Sequence, residues 1–139
     1  MELQPQPTAA GNGSRLRFSR QSRLLKHADF DRVYKSGRRH FGHHMTVFYL
    51  GRGDEKPART GFTVGRALGG AVERNRIKRR LREAVRLHGG KLQMAVDVVI
   101  NPKKSALQAD FAELEREIVS AFATIGKKIN AEAAKERKA

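Results

Sequence analysis

One segment in the middle of the chain has two opposing faces when it is drawn as an α-helix. Residues 71–88 contain no proline or glycine, and they lie between the glycine-rich stretch 65–70 and a Gly-Gly pair. At about 100° per residue, one side of the helix collects apolar residues and the other collects cations. The apolar side carries Ile77, Leu81, Ala84, Val85 and His88. The opposite side carries Asn75, Arg79, Arg82 and Arg86. The segment therefore predicts a helix that packs one face on a core and offers the other to a partner.

The cations of this predicted helix repel one another. Solvated helices usually place opposite charges at positions i and i+4, but four such pairs here carry like charges. These pairs are Arg74/Lys78, Lys78/Arg82, Arg76/Arg80 and Arg82/Arg86. A bound polyanion relieves this repulsion, so phosphate binding is favoured over a merely solvated face. The candidate phosphate-binding residues are Arg66, Arg74, Asn75, Arg76, Lys78, Arg79, Arg80, Arg82 and Arg86.

The charge of the whole chain is concentrated in two stretches. The 139 residues include 29 Lys and Arg against 14 Asp and Glu, which gives a formal net charge of +15. Residues 1–44 hold nine basic and three acidic side chains, and residues 65–86 hold eight and two. A surface that serves only solubility mixes both signs. The uneven placement indicates basic faces that attract nucleic acid or an anionic membrane surface.

The composition also limits where such a protein works. No apolar run approaches the roughly 18 residues of a membrane span, and the first twenty residues lack the apolar block of a signal peptide. We therefore expect a soluble, intracellular protein without a membrane partner. Cysteine is absent, which excludes disulfides, thiolate catalysis and cysteine metal clusters.

The first half of the chain predicts a basic arm, a helix and two strands. Residues 1–20 mix Gln, Pro, Gly and Ser with arginines and predict a disordered basic arm. Phe30, Val33 and Tyr34 have helical spacing after Lys26, and Gly37 is placed to end that helix. Residues 41–50 alternate as in a strand, and residues 59–64 predict a second strand, its antiparallel hairpin partner.

The second half predicts a buried strand and a long helix after the basic helix. Residues 94–100 form an apolar run that ends at Asn101-Pro102, and a helix with apolar steps of three and four begins near Ser105. Residues 21–126 are predicted to form a single α+β domain of order α-β-β-α-β-α, with helices packed on one mixed sheet. Residues 127–139 are expected to form a charged, frayed tail.

The basic helix and several other segments resemble the protein component of bacterial ribonuclease P. Residues 70–84, with the run Arg74-Asn75-Arg76 followed by Ile77-Lys78-Arg79-Arg80, are similar to that family's signature helix, often called the RNR motif. The segments around Arg23-Leu24, Asp29-Phe30, Phe48, residues 61–64 and residues 97–102 agree in order and spacing. The resemblance covers roughly residues 20–125.

The resemblance implies a fold, a partner and a division of labour. It implies a two-layer α/β sandwich whose left-handed β-α-β crossover carries the RNR helix. That helix would contact the catalytic RNA, and a cleft between the first helix and the sheet would hold the single-stranded 5′ leader of precursor tRNA. Cleavage of precursor tRNA, and hence tRNA 5′ maturation, would use Mg²⁺ held mainly by the RNA, so the chain has no catalytic or metal-binding residue and no firmly bound cofactor. No obligate protein partner is implied, and the location is the bacterial cytoplasm.

The leader cleft depends on the resemblance and not on pattern. The resemblance assigns Phe30, Tyr34 and Phe48 to the leader, with Val64 and Arg66 as further lining residues. Helical spacing alone places Phe30 and Tyr34 in a core more often than in a cleft. Aromatic rings are nevertheless suited to unpaired bases, because stacking needs no sequence readout.

The histidines and acids of the chain do not predict a metal or catalytic site. His40, His43 and His44 lie close together, but without a carboxylate or cysteine partner such histidines are more often on the surface than in a zinc site. The acids Asp29, Asp31, Asp54, Glu55 and Asp97 show no paired motif on elements that can be placed together, so no nuclease centre is predicted.

Three other functional classes fit parts of the sequence. A ribosomal or assembly-type RNA-binding protein would share the basic face but not the leader cleft. A DNA-binding regulator would lay the helix in the major groove, where readout usually mixes Asn, Gln and Ser among the arginines. A stand-alone nuclease fits least well.

Overall fold

A computed structural model describes residues 23–24, 26–54, 56–88, 92 and 94–138. Helix α1 covers His27–Ser36 and buries Val33. It ends at Gly37, whose N–H donates to the Val33 carbonyl. A Cβ at Gly37 would lie 2.6 Å from the Tyr49 carbonyl oxygen, so only glycine lets the chain turn here into the sheet. The predicted N-terminal arm, residues 1–20, lies outside the described residues.

The sheet has four strands in the order β1-β2-β4-β3. Strand β1 covers Arg38–Phe41, β2 Met45–Gly51, β3 Arg59–Phe62 and β4 Val96–Pro102. The β1-β2 and β2-β4 pairs are antiparallel, and the β3-β4 pair is parallel. The sheet is mixed and carries helices, which confirms the predicted α+β class.

The predicted hairpin between residues 41–50 and 59–64 is wrong. Strand β2 pairs with β1 and β4, and β3 lies on the far side of β4. Every residue from 96 to 100 is buried, and a strand buried on both faces takes a central position. The predicted first strand also divides near Gly42, whose N–H donates to the Met45 carbonyl in a tight turn. That turn produces β1, an additional edge strand.

The two faces of the sheet carry different helices. Helices α2 (Ala71–His88) and α3 (Phe111–Lys138) pack on the face formed by Met45, Val47 and Tyr49. Helix α1 packs on the opposite face, against Phe48 and neighbouring residues. Helix α2 connects β3 to β4, as a parallel strand pair requires. The sheet therefore separates α1 from the basic helix.

The C-terminal helix begins later and ends later than predicted. A 3₁₀ turn, Lys104–Leu107, precedes it, and α3 begins at Phe111, where the Asp110 N–H donates to the Glu113 carboxylate and the Glu113 N–H donates to the Asp110 carbonyl. We expected fraying after Gly126, but the helix continues to Lys138. Its extension contacts the sheet, because Glu132 forms an ion pair of 2.6 Å with Arg38. Within the described residues, no helix is both long and apolar enough to cross a membrane.

Candidate nucleic-acid interface

Helix α2 has the two faces that the sequence predicts. Its buried residues are Ile77, Leu81, Ala84 and Val85, and they fix the rotation of the helix on the core. The exposed candidate residues are Arg66, Asn75, Arg76, Arg79 and Arg82, while Arg74 and Lys78 are half-buried. Because the apolar face is held by the core, the opposite face projects cations away from the protein.

Two candidate RNA contacts have partners within the protein. The Arg80 guanidinium donates to the carbonyl oxygens of Ala106 and Ala109 and thereby ties α2 to the 3₁₀ turn and the segment after it. Arg86 donates to both carboxylate oxygens of Glu83, at 2.9 and 2.7 Å. The hydrogen bond from Arg86 holds the pKa of Glu83 below its usual range. The cationic surface is therefore narrower than the sequence indicates, since Arg80 faces the protein and the charge of Arg86 is compensated.

The N-terminal end of α2 is occupied by a side chain. The free N–H groups at a helix N-terminus can bind a phosphate, and the glycine-rich residues 65–70 precede this end of α2. In the structure, Gly70 N–H donates to the Glu73 carboxylate at 3.0 Å. Gly69 adopts φ 146°, a backbone conformation that favours glycine. The turn of the chain before α2 therefore explains the glycine at this position. Nearby, the Arg74 Nε is buried and has no hydrogen-bond partner among the described residues.

A second surface lies between α1 and the opposite face of the sheet. Phe30, Tyr34 and Phe48 are half-buried there, packed around the buried side chains of Leu24, Val33 and Val99. Phe30 and Tyr34 therefore pack partly against a core, as their helical spacing predicts, and are partly open to solvent, as the expected cleft requires. One side of the aromatic group packs on the protein, and the other reaches solvent.

The exposed part of this aromatic group has polar and cationic neighbours. The rings of Tyr34 and Phe48 meet edge to face, with centroids 4.9 Å apart and an interplanar angle of 83°. The Tyr34 hydroxyl donates to Asn101 Oδ1 at 3.0 Å and is 2.7 Å from Thr63 Oγ1. The Arg39 guanidinium lies 5.4 Å from the Phe48 centroid, in a cation–π position. We call the surface formed by Phe30, Tyr34, Phe48, Arg39 and Asn101 the aromatic cleft.

Three residues of the cleft region differ from the sequence prediction. Val64 was expected in the cleft, but it packs on the main core, on the face of the sheet that carries α2 and α3. Arg39 and Asn101 were missed as site residues. Asn101 carries a local signal, a polar residue that ends a buried strand. Arg39 carries none, because its place follows from β1, which the sequence did not predict.

Buried Asp97 joins the elements around one end of the cleft. Its side chain has no solvent exposure. It accepts hydrogen bonds from Arg59 at 2.9 and 2.7 Å, from Arg32 of α1 at 3.3 Å and from Arg52. Asp29 of α1 also pairs with Arg32, at 2.9 Å. We call these five residues the Asp97 cluster.

The charges of the Asp97 cluster explain its protonation state. Burial raises the pKa of Asp97, but hydrogen bonds from Arg59 and Arg52 outweigh it and leave the pKa below its usual value. The sequence shows no motif that pairs Asp29 with Asp97, but in the structure Arg32 contacts both acids. Their oxygens already accept hydrogen bonds from arginines. Across the part of the chain that is described, no group of three or more His, Cys, Asp and Glu could hold a metal ion.

The three neighbouring histidines have different surroundings. His43 is exposed and His40 is half-buried, but His44 is buried, so the surface expectation is wrong for His44. The His44 ring lies 2.9 Å from Ser105 Oγ and 3.1 Å from Glu113 Oε2. Its backbone N–H donates to Glu117. The hydrogen bond from His44 lowers the pKa of Glu113. His44 therefore connects the β1-β2 turn to α3.

Comparison with known proteins shows which family this chain belongs to. The family model described as Ribonuclease P matches residues 18–126. The chain belongs to the ribonuclease P protein family. Ribonuclease P protein components from Desulfovibrio desulfuricans and Symbiobacterium thermophilum are 42% and 38% identical to it, over 72% and 75% of this chain and 79% and 90% of theirs.

Solved structures of ribonuclease P proteins have the same fold. The Staphylococcus aureus protein aligns with a TM-score of 0.66 and 28% identity, covering 76% of this chain and 95% of that one. The Thermotoga maritima protein aligns with a TM-score of 0.65 and 27% identity, covering 72% and 94%. As a ribonuclease P protein, the chain is the protein subunit of an RNA-protein endoribonuclease of tRNA processing. This membership decides against the ribosomal, DNA-binding and stand-alone nuclease alternatives.

Proposed function

We propose that the exposed cations of α2 bind the catalytic RNA while the aromatic cleft binds the single-stranded 5′ leader of precursor tRNA. The observation that carries this proposal is the half-buried aromatic group of Phe30, Tyr34 and Phe48 beside the Arg39 guanidinium. In an ordinary core these rings would be fully buried. A surface that bound RNA through charge alone would not need aromatic rings.

The α2 surface suits a folded RNA. Arg76, Arg79 and Arg82 are exposed on a helix whose rotation is fixed by its buried face. Guanidinium groups make bidentate contacts with phosphates and stack on bases. A rigid row of such groups suits the closely spaced phosphates of a structured RNA.

The aromatic cleft suits an unpaired strand. Aromatic rings stack on any base, and a neighbouring cation attracts the backbone, so binding needs no particular sequence. Leaders differ in sequence between precursor tRNAs, and such a site accepts them all. The hydrogen bonds of the Tyr34 hydroxyl to Asn101 and Thr63 hold the ring in place for a base.

The chemistry of cleavage belongs to the RNA partner. Mg²⁺ held by the catalytic RNA would supply the metal-ion chemistry. The neighbouring carboxylates of Asp29 and Asp97 do not suit that role, because both accept hydrogen bonds from arginines. The chain contributes positive charge between two polyanions, which lowers the Mg²⁺ concentration that the holoenzyme needs. We place this activity in the bacterial cytoplasm.

Reconstitution with a bacterial catalytic RNA tests the proposal. Cleavage of precursor tRNA is measured against Mg²⁺ concentration with and without the protein, and affinity is compared for precursor tRNA and mature tRNA. We expect the protein to lower the Mg²⁺ requirement and to strengthen binding only of the substrate that has a leader. Equal strengthening of both RNAs would contradict the cleft, and cleavage by the protein alone would contradict the division of labour.

A further inference from the structure

Strand β1 exposes a phenylalanine beside the aromatic cleft. Phe41 is 69% exposed, and it is the one aromatic among the large hydrophobic residues exposed in the described part of the chain. It belongs to the edge strand that the sequence did not predict. Phe41 belongs to neither of the two core clusters and is not one of the residues of the aromatic cleft. Its exposure is therefore not explained by the surfaces described so far.

The strand register places Phe41 on the same side of the sheet as the cleft. Phe41 pairs with Thr46, and Thr46 pairs with Asn101, the residue that accepts a hydrogen bond from the Tyr34 hydroxyl. Directly paired residues point to the same face. Phe41, Thr46 and Asn101 therefore form a row across β1, β2 and β4, and the Tyr34 hydroxyl meets its far end. Neighbouring strands lie about 4.8 Å apart, so the row spans roughly 10 Å from β1 to β4.

A cation lies next to this ring on the same strand. Arg39 is two residues from Phe41, so both side chains project from one face, and Arg39 pairs with Phe48. Phe41 and Phe48 are thus diagonal neighbours on adjacent strands, and the Cα atoms of such neighbours lie roughly 7–8 Å apart. The Arg39 guanidinium lies 5.4 Å from the Phe48 centroid, and Arg39 belongs to the same strand as Phe41. Two aromatic rings and a cation therefore share this side of the sheet.

We propose that Phe41 extends the aromatic cleft by one nucleotide, with the base stacked on Phe41 and its phosphate on the guanidinium of Arg39 in the cleft. This inference rests on the proposed leader binding. It is favoured over docking of a second copy of the chain through the β1 edge, because Arg38 and Arg39 occupy two of the four positions of that strand. Two such edges would repel each other in a protein of net charge +15.

A leader shortened one nucleotide at a time tests this inference. Holoenzymes are reconstituted with wild-type protein, Phe41→Ala, Phe41→Leu and Phe41→Tyr, and each is titrated with precursor tRNAs of increasing leader length. For wild type, we expect affinity to rise with length until the cleft is full. Phe41→Ala should match wild type for short leaders and lose roughly fivefold in affinity once the leader is long enough to reach β1.

The two matched variants separate stacking from packing. Phe41→Tyr keeps the aromatic face and should restore the wild-type profile, whereas Phe41→Leu keeps an apolar side chain and should behave as Phe41→Ala does. Circular dichroism and gel filtration of each free protein establish that it is folded and monomeric. A dimer that Phe41→Ala abolishes would overturn the proposal in favour of a self-association edge.

The outcomes also distinguish this inference from the proposed function. If wild-type affinity rises with leader length and Phe41→Ala follows it at every length, the leader cleft stands and the β1 extension is wrong. A loss that is equal at all leader lengths, or a defect that Phe41→Leu repairs, likewise overturns it. If wild-type affinity does not depend on leader length, the leader cleft fails and the extension fails with it.

Discussion

The two surfaces that we propose to bind RNA are built in different ways. The cationic face of α2 comes from one continuous segment, and its direction is set by four buried residues of the same helix. The aromatic cleft takes side chains from α1, β1, β2 and β4, which only the folded sheet brings together. A local surface should tolerate changes elsewhere in the fold, whereas a composite surface depends on whatever holds its elements in place.

The largest expected effect comes from removing the charge that joins the cleft elements. Asp97→Asn keeps the volume of the side chain but leaves the guanidinium groups of Arg52 and Arg59 without their buried partner. Breaking a buried ion pair on one side typically costs about 3–5 kcal/mol. We expect urea unfolding to show a loss of this size, and any folded fraction should bind the leader more weakly.

Asp54→Asn is the control for this change. Asp54 accepts hydrogen bonds from Arg52 but is exposed, so its loss should change the unfolding midpoint much less. Equal effects of the two substitutions would show that burial at Asp97 does not hold the cleft together.

The next largest effect tests the local surface. Replacing Arg79 and Arg82 together by Ala removes two exposed cations, and each charge-assisted contact is worth about 1.5–3 kcal/mol. Affinity for the catalytic RNA should fall by about 3 kcal/mol or more, and the salt dependence of binding should become shallower by about two phosphate contacts. Filter binding over a range of salt concentrations measures both quantities.

Arg80→Ala gives the matched contrast on the same helix. Arg80 bonds to the carbonyl oxygens of Ala106 and Ala109, so its loss should lower the free energy of unfolding more than it lowers RNA affinity. The double variant should show the reverse. If Arg80→Ala weakened RNA binding without destabilising the protein, the conclusion that Arg80 lies outside the cationic surface would be wrong.

A smaller effect is expected for a single ring of the cleft. Phe48→Ala removes one stacking face, and such a loss costs about 1–3 kcal/mol per base. Affinity for precursor tRNA should fall by this amount, while affinity for mature tRNA stays the same. Because Phe48 also packs against α1, Tyr34→Phe serves as the milder probe: it keeps its ring and loses only the bonds to Thr63 and Asn101.

The smallest effect separates the two surfaces by pH. The pKa of Asp97 is lowered in the folded protein, so its stabilising contribution is complete above the unfolded pKa of about 4. That contribution is lost as the pH falls through the lower folded value. Urea midpoints measured from pH 6 downwards should decline below about pH 4, and Asp97→Asn should flatten part of this decline. Arginines do not titrate in this range, so the guanidinium charges of α2 stay constant.

The difference between the surfaces also explains what the sequence could predict. The faces of α2 follow from residue spacing, because Ile77 and Leu81 must share a side of any helix. The pairing of β2 could not be read in the same way, since alternation gives a strand its two faces but does not choose its neighbours. The hairpin was therefore assigned to residues 59–64, and β1 with its Arg39 was missed.

The hydrogen-bond partners of individual side chains could not be predicted from the sequence either. Arg80 and Arg86 look alike in the sequence, but one bonds to carbonyls of a distant turn and the other to Glu83 on its own helix. Asp97 sits in an apolar run that predicts a buried strand, and its arginine partners are 38 to 65 residues away. Local spacing carries no information about such contacts.

The placement of α1 and α2 on opposite faces of the sheet sets a distance between two RNAs. A leader in the aromatic cleft would be separated from an RNA on the outer face of α2 by the sheet and the helix. Layers of secondary structure pack roughly 10 Å apart, and a helix is about 10 Å across. This thickness exceeds the screening length of about 8 Å at physiological salt. With both RNAs bound in this way, the sheet would serve as a spacer that lets one small protein hold two like-charged strands without forcing their phosphates together.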